Sequence, residues 1–187
     1  MPLTKLDDIT ALVLIDLQKG IVGIQTAHPA GEVVARAARL ARAFREKGLP
    51  VVLVNVSGMA PGRTEAVRPN LAFPPDWTEL VPELERQPGD HIVTKQRVGA
   101  FHGTDLDSHL RQRGVTQIVM AGISTSAGVE STARGAYDLG YNVTLVVDAM
   151  TDRSDEMHRH SVEKFFPRIG ETGQTNEVLR LLNERRT

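Results

Sequence analysis

Along this chain, short runs of Val, Ile, Leu and Ala alternate with longer stretches in which apolar residues return every three or four positions. The runs "ALVLID" (11–16), "PVVLVNV" (50–56), "HIVTK" (91–95), "QIVMAG" (117–122) and "NVTLVVD" (142–148) are continuously apolar at their centres. That pattern predicts strands covered on both faces, as in a parallel sheet, with helices in the crossovers between them. In "EVVARAARLARAFREKG", Val33, Ala37, Leu40, Ala41 and Phe44 fall on one helical stripe, and Lys47-Gly48 supplies a stop. "GTDLDSHLRQRG" repeats the device, with Thr104 as candidate N-cap and Gly114 as stop. "VESTARGAYDLG", "SDEMHRHSVEKFF" and a closing "TNEVLRLLNERR" complete the helices, and each crossover is expected to be right-handed.

The pattern breaks from Ser57 to Gly89, where prolines stand at 61, 69, 74, 75, 82 and 88. Strands resume directly afterwards, so this is read as a surface excursion within one domain spanning 1–187, a lid or binding loop by its length. At 187 residues and 41% hydrophobic, the chain can bury one sizeable core. A net charge of −1, spread without a basic stripe, and only 4% aromatics give nucleic-acid binding no support. No apolar run approaches the roughly 20 residues that span a bilayer, and "MPLTKLDDIT" has no apolar signal core, so neither a membrane nor export is expected. Absence of cysteine excludes disulfides and thiolate metal sites and fits a cytoplasmic location.

Ligands of open α/β sheets bind beyond the carboxyl ends of the strands. Three features converge there: Asp16 closing the first strand, Lys95 closing the third, and the small-residue turn "GISTSAG" after the fourth. A carboxylate leaving an apolar strand is partly desolvated, which raises its pKa, while a nearby ammonium lowers it. The two together are either poised for proton transfer or a structural ion pair. The turn lets backbone approach a ligand, and the N–H groups opening the next helix can hold an anion or a developing oxyanion. Ser124, Thr125, Ser126 and Ser131 are read as caps or substrate contacts, because a serine nucleophile needs a base beside it. His158 and His160, two apart on a helix, point in different directions and predict no shared metal. His102 is either a substrate contact or an ordinary loop histidine.

The motifs "LVLIDLQKG", "TKQRVGAFHGTDLDSHLRQRG", "VMAGISTSAGVESTARGAYDLGYNVTLVVDAMTD" and "RIGET", in this order, resemble the isochorismatase-like hydrolase superfamily, also called the cysteine hydrolases. The resemblance runs from about Leu12 to Leu182 and is weakest over the excursion. It implies a Rossmann-like three-layer α/β sandwich: a mainly parallel six-stranded sheet, order 3-2-1-4-5-6, with helices on both faces. It also implies a catalytic pair Asp16 and Lys95, a cis peptide between Ile123 and Ser124, and oxyanion N–H groups at Ser124 and Gly128. Arg97, His102 and Gln18 fall at substrate-binding positions, and Arg97 could grip a carboxylate with two N–H groups.

The family's nucleophilic cysteine falls on Gly128, so amidase chemistry through a thiol is not expected. Isochorismatases also carry glycine there and cleave a vinyl ether by protonation, with Asp16 the acid by resemblance. Against this, their turn "GVYAH" reads "GISTS" here, and their glutamine after the second strand has no clear counterpart. The alternative is a non-catalytic binding protein or subunit. The resemblance implies a small-molecule substrate, no metal or cofactor, and a homo-oligomer of two or more chains.

Overall fold

The structure, a computed structural model, describes residues 3–65 and 73–185. Among them β1 (Thr10–Ile15), β2 (Val51–Val56), β3 (His91–Lys95), β4 (Gln117–Ile123), β5 (Asn142–Thr151) and β6 (Glu171–Gly173) form one sheet. Its order is β3-β2-β1-β4-β5-β6 and every pairing is parallel. The helices are α1 (Lys19–Val22), α2 (Ala30–Glu46), α3 (Leu106–Gln112), α4 (Glu130–Asp138), α5 (Asp155–His160) and α6 (Thr175–Glu184).

Both faces of the sheet are covered, and the apolar runs show why. Leu12, Leu14, Leu53 and Val119 pack against α2 and α6, while Val13, Ile15, Val54 and Met120 face α3 and α4. Val33, Ala37, Leu40, Ala41 and Phe44 of α2 are all buried, which is the stripe their spacing predicts. Burying a side chain the size of Phe44 contributes about 1.5–3 kcal/mol. Along the same helix Arg36, Arg42 and Arg45 pair with Asp148, Glu85 and Asp90, so this basic row bolts α2 to its surroundings. Gly48 and Gly114 end α2 and α3 in the left-handed region.

Two elements differ from the sequence reading. β5 runs to Thr151 rather than 148, because the chain bulges against β4: Met120 opposes Leu145, yet Gly122 opposes Met150. The expected helix over 154–166 ends at His160 and continues as a π-helical turn, Ser161–Phe165, and a 3-10 turn, Phe166–Arg168. Pro167 cannot supply the N–H that a continuing helix needs.

The excursion returns along the end of β1. Gln18 accepts from Val56 N–H at 2.7 Å and donates to Val56 O at 3.1 Å and Trp77 O at 2.9 Å. Lys19 N–H donates to Glu79 O, Gly20 N–H to Trp77 O, and Asn55 Nδ2 to Thr78 O. Gly20 has no alternative, since a Cβ there would lie 1.9 Å from the Trp77 ring. Pro69 lies outside the described residues.

Candidate functional site

Asp16 follows β1 directly and Lys95 ends β3, two strands away across the tip of β2. The ammonium spans that gap: Lys95 Nζ donates to Asp16 Oδ2 at 2.7 Å and to Arg97 O at 3.3 Å. Both side chains are withdrawn from water, Lys95 2% and Asp16 7% exposed. Asp16 turns into the left-handed region, φ 53°, as it leaves the strand. Its Oδ1 is buried with no hydrogen-bond partner among the described residues. Burial raises the Asp16 carboxyl to about 6, against the opposing charge and hydrogen bond of Lys95. Desolvation therefore outweighs the ion pair, and the carboxyl changes protonation state near neutrality.

The turn after β4 faces this pair. The Ile123–Ser124 peptide is cis, and Thr125–Val129 form a π-helical turn that runs into α4. A Cβ on Gly128 would lie 3.1 Å from Asp16 Oδ2, 3.7 Å from Lys95 Nζ and 2.9 Å from Ile15 Cγ2. Position 128 is thus where a side chain would meet both charges, and the β-branched Ile15 in the core strand cannot easily give way. Gly128→Ala is expected to lose about 1–3 kcal/mol of stability through overpacking, offset by up to about 1 kcal/mol of helix propensity. Urea unfolding of the variant checks this; a gain in stability would show that Ile15 yields freely.

Asp16, Lys95, Arg97, Ile123, Ser124 and Gly128 border one cavity of about 440 Å³. Its remaining wall is mostly apolar, from Ile21, Val56, Met59, Val98 and Ala127, and Gly58, Met59, Ala60 and Thr64 bring the start of the excursion into it. Arg97 donates to Gln96 O at 2.8 Å and has no ion pair among the described residues, which leaves a cation at the rim. Thr132 ties Arg97's loop to the turn, donating to Gly128 O at 2.6 Å and accepting from Ala100 N–H at 3.1 Å.

Two expected substrate contacts are not in the cavity wall. Gln18 is fully buried, and its amide is used up on Val56 and Trp77. His102 is exposed on the loop beyond Arg97. Sequence reasoning missed Asp152, 1% exposed, which accepts from Ser126 N–H at 2.6 Å and Arg153 N–H at 2.7 Å. The rule that singled out Asp16, an acid at a strand's carboxyl end, could have found it. Among the described residues no three His, Asp or Glu are grouped to hold a metal ion, and no helix is long and apolar enough to cross a membrane.

This geometry has known counterparts. The isochorismatase domain matches residues 10–177. The chain belongs to the isochorismatase family of hydrolases. It is 46% identical over 177 residues to the uncharacterized isochorismatase family protein YwoC of Bacillus subtilis (strain 168), covering 91% of this chain and 92% of that one. An isochorismatase family protein from Burkholderia thailandensis has the same fold with TM-score 0.92 at 41% identity, covering 96% of this chain and 98% of that one. Ureidoacrylate amidohydrolase RutB of Methylobacterium radiotolerans is 31% identical over 179 residues, 80% of this chain and 68% of the relative. Within the isochorismatase family, then, this member places an Asp–Lys pair against a glycine and has no cysteine anywhere.

Proposed function

We propose that this protein hydrolyses a small carboxylated substrate without a covalent nucleophile, with Asp16 as proton donor and Arg97 as carboxylate anchor. The observation that carries the reading is Asp16 itself: a buried carboxyl near pH 6, in a mostly apolar cavity, beside a position with no side chain. The fitting chemistry is vinyl-ether hydrolysis. Asp16 protonates the terminal enol-ether carbon, water adds to the resulting oxocarbenium carbon, and the hemiketal collapses to a carbonyl compound and an alcohol. The proton released by the attacking water restores Asp16. Apolar walls support the reading, because they disfavour the ionised acid before the reaction.

The RutB relatives favour a second reading, cleavage of a ureido or amide bond. With no cysteine in the chain, that route would need Asp16 to activate water directly.

A substrate panel separates these readings: pyruvate release from isochorismate, and ammonia or acid release from nicotinamide, N-carbamoyl substrates and ureidoacrylate. The expected result is pyruvate release whose kcat/KM falls about tenfold per pH unit above about 6, as the acid ionises. In the complex, the substrate carboxylate offsets the cations, so the descending limb of kcat is expected at higher pH. Faster turnover of the ureido or amide compounds would replace this reading with the second. Saturable binding with no turnover across the panel would leave a binding protein.

A further inference from the structure

Behind the reactive turn lies a second polar layer that the proposed chemistry does not use. Thr125, fully buried, lies outside the wall of the reaction cavity, and its Oγ1 is 2.8 Å from Nδ1 of His158 on α5. The His158 ring meets His28 edge-on, with centroids 4.8 Å apart. His28 Nδ1 is 3.1 Å from Oγ1 of Thr151, the residue opposite Ile123 in the β4–β5 ladder. Both imidazoles border a second cavity of about 340 Å³, with Glu32, Arg36 and Asp148 around it. One threonine side chain therefore connects the turn that borders the reaction cavity to a histidine pair on another cavity.

We propose that His158 is a positioning residue for the turn at 124–128, holding Thr125 through its neutral ring and releasing that hold when the ring takes up a proton. A neutral imidazole offers one donor and one acceptor, whereas a protonated ring offers two donors. With the neutral ring's proton on Nε2, Thr125 donates to Nδ1; in the charged ring Nδ1 also carries a proton, so Thr125 could only accept there and its own hydroxyl proton would lose that partner in a fully buried place, which costs about 1–3 kcal/mol. The charged ring is favoured instead by the nearby carboxylates of Asp155 and Asp152.

The surroundings set when this happens. Burial, then the neighbouring His28, holds His158 below its usual 6.5, while Asp155 and Asp152 favour the charged form. Asp155 is shared with Arg159 at 2.9 Å and lies 3.7 Å from His28 Nε2. Across the cavity from α2 and β5, Glu32 and Asp148 are both engaged by Arg36, at 2.9 and 3.6 Å. The release therefore belongs below the ordinary imidazole value of 6.5.

The inference rests on the turn being part of the reactive site, but its test reads the backbone rather than turnover. Two-dimensional NMR of the full chain between pH 5 and 8 would follow the amides of Thr125, Ser126, Gly128 and Val129 beside the His158 Cε1 proton. An Asp16→Asn background removes the carboxyl that titrates nearby. The turn amides are expected to shift with the midpoint of His158, below 6.5, and this shift is expected to vanish when His158→Gln is added. His28→Gln, which removes the facing ring, is expected to raise the midpoint. Turn amides that ignore the His158 titration, or that keep it without the imidazole, overturn the proposal. Should His158→Gln fail to fold, the His28→Gln midpoint decides, and an unchanged value overturns it.

Discussion

The Asp16→Asn variant is expected to turn over the substrate about 10²–10⁴ times more slowly than wild type, the range for loss of a general acid. Asparagine has nearly the same shape, and its carbonyl can still accept from Lys95 Nζ, so the 2.7 Å contact and the cavity wall are kept. What disappears is a proton that can leave and return near pH 6. The expected signature is a fall in kcat with little change in KM, because Arg97 and the apolar wall still bind. The descending limb of the pH profile should go with it. Steady-state kinetics from pH 5 to 9, beside a thermal unfolding curve to confirm the fold, make the measurement. An equally active variant would remove Asp16 from the chemistry and leave the ion pair as a structural feature.

Lys95→Met should act mainly on stability, and its effect should depend on pH. Removing one partner of a buried pair leaves an uncompensated charge, at about 3–5 kcal/mol. Here the remaining group is a carboxyl already raised to about 6 by burial, and both opposing influences come from Lys95. Without them the carboxyl should titrate higher still. A folded-state pKa above the unfolded one contributes stability below the unfolded value, and that contribution is lost as pH rises through the folded value. The full loss is thus expected at pH 8, where the carboxyl ionises against an apolar wall. At pH 5 the variant holds a neutral acid and the loss should be smaller. Urea unfolding at the two pH values measures the difference; equal losses would mean that Lys95 contributes packing rather than charge.

The apolar runs marked five of the six strands, because a strand covered on both faces needs continuous apolar residues. β6, only three residues long, carries too little pattern to be read this way. The end of β5 was also hidden: its extra length depends on a bulge against β4, a relation between distant stretches of chain. Within the site, Asp16, Lys95 and the 124–128 turn stood out because strand ends converge. Gln18 and His102 lie outside the cavity wall, because sequence proximity to a strand-end acid does not say where a side chain is used. Gln18 serves the backbone of Val56 and Trp77, and His102 lies one loop too far. The sequence weighs His158 only against a shared metal with His160; its contact with Thr125, 33 positions away, is visible only in the fold.

The stitching of the excursion to the exit of β1 divides labour along the gene. The acid and its ammonium sit on strand ends, but Gly58, Met59, Ala60 and Thr64 come from a segment pinned at Val56 by Gln18 and again from Trp77 to Glu79. Between two such anchors, changing loop length by a few residues adds little closure entropy. Changes at 58–65 can therefore reshape the cavity wall while the Asp16–Lys95 pair keeps its place. A loop library confined to that segment is the natural starting point for redirecting the protein to new substrates.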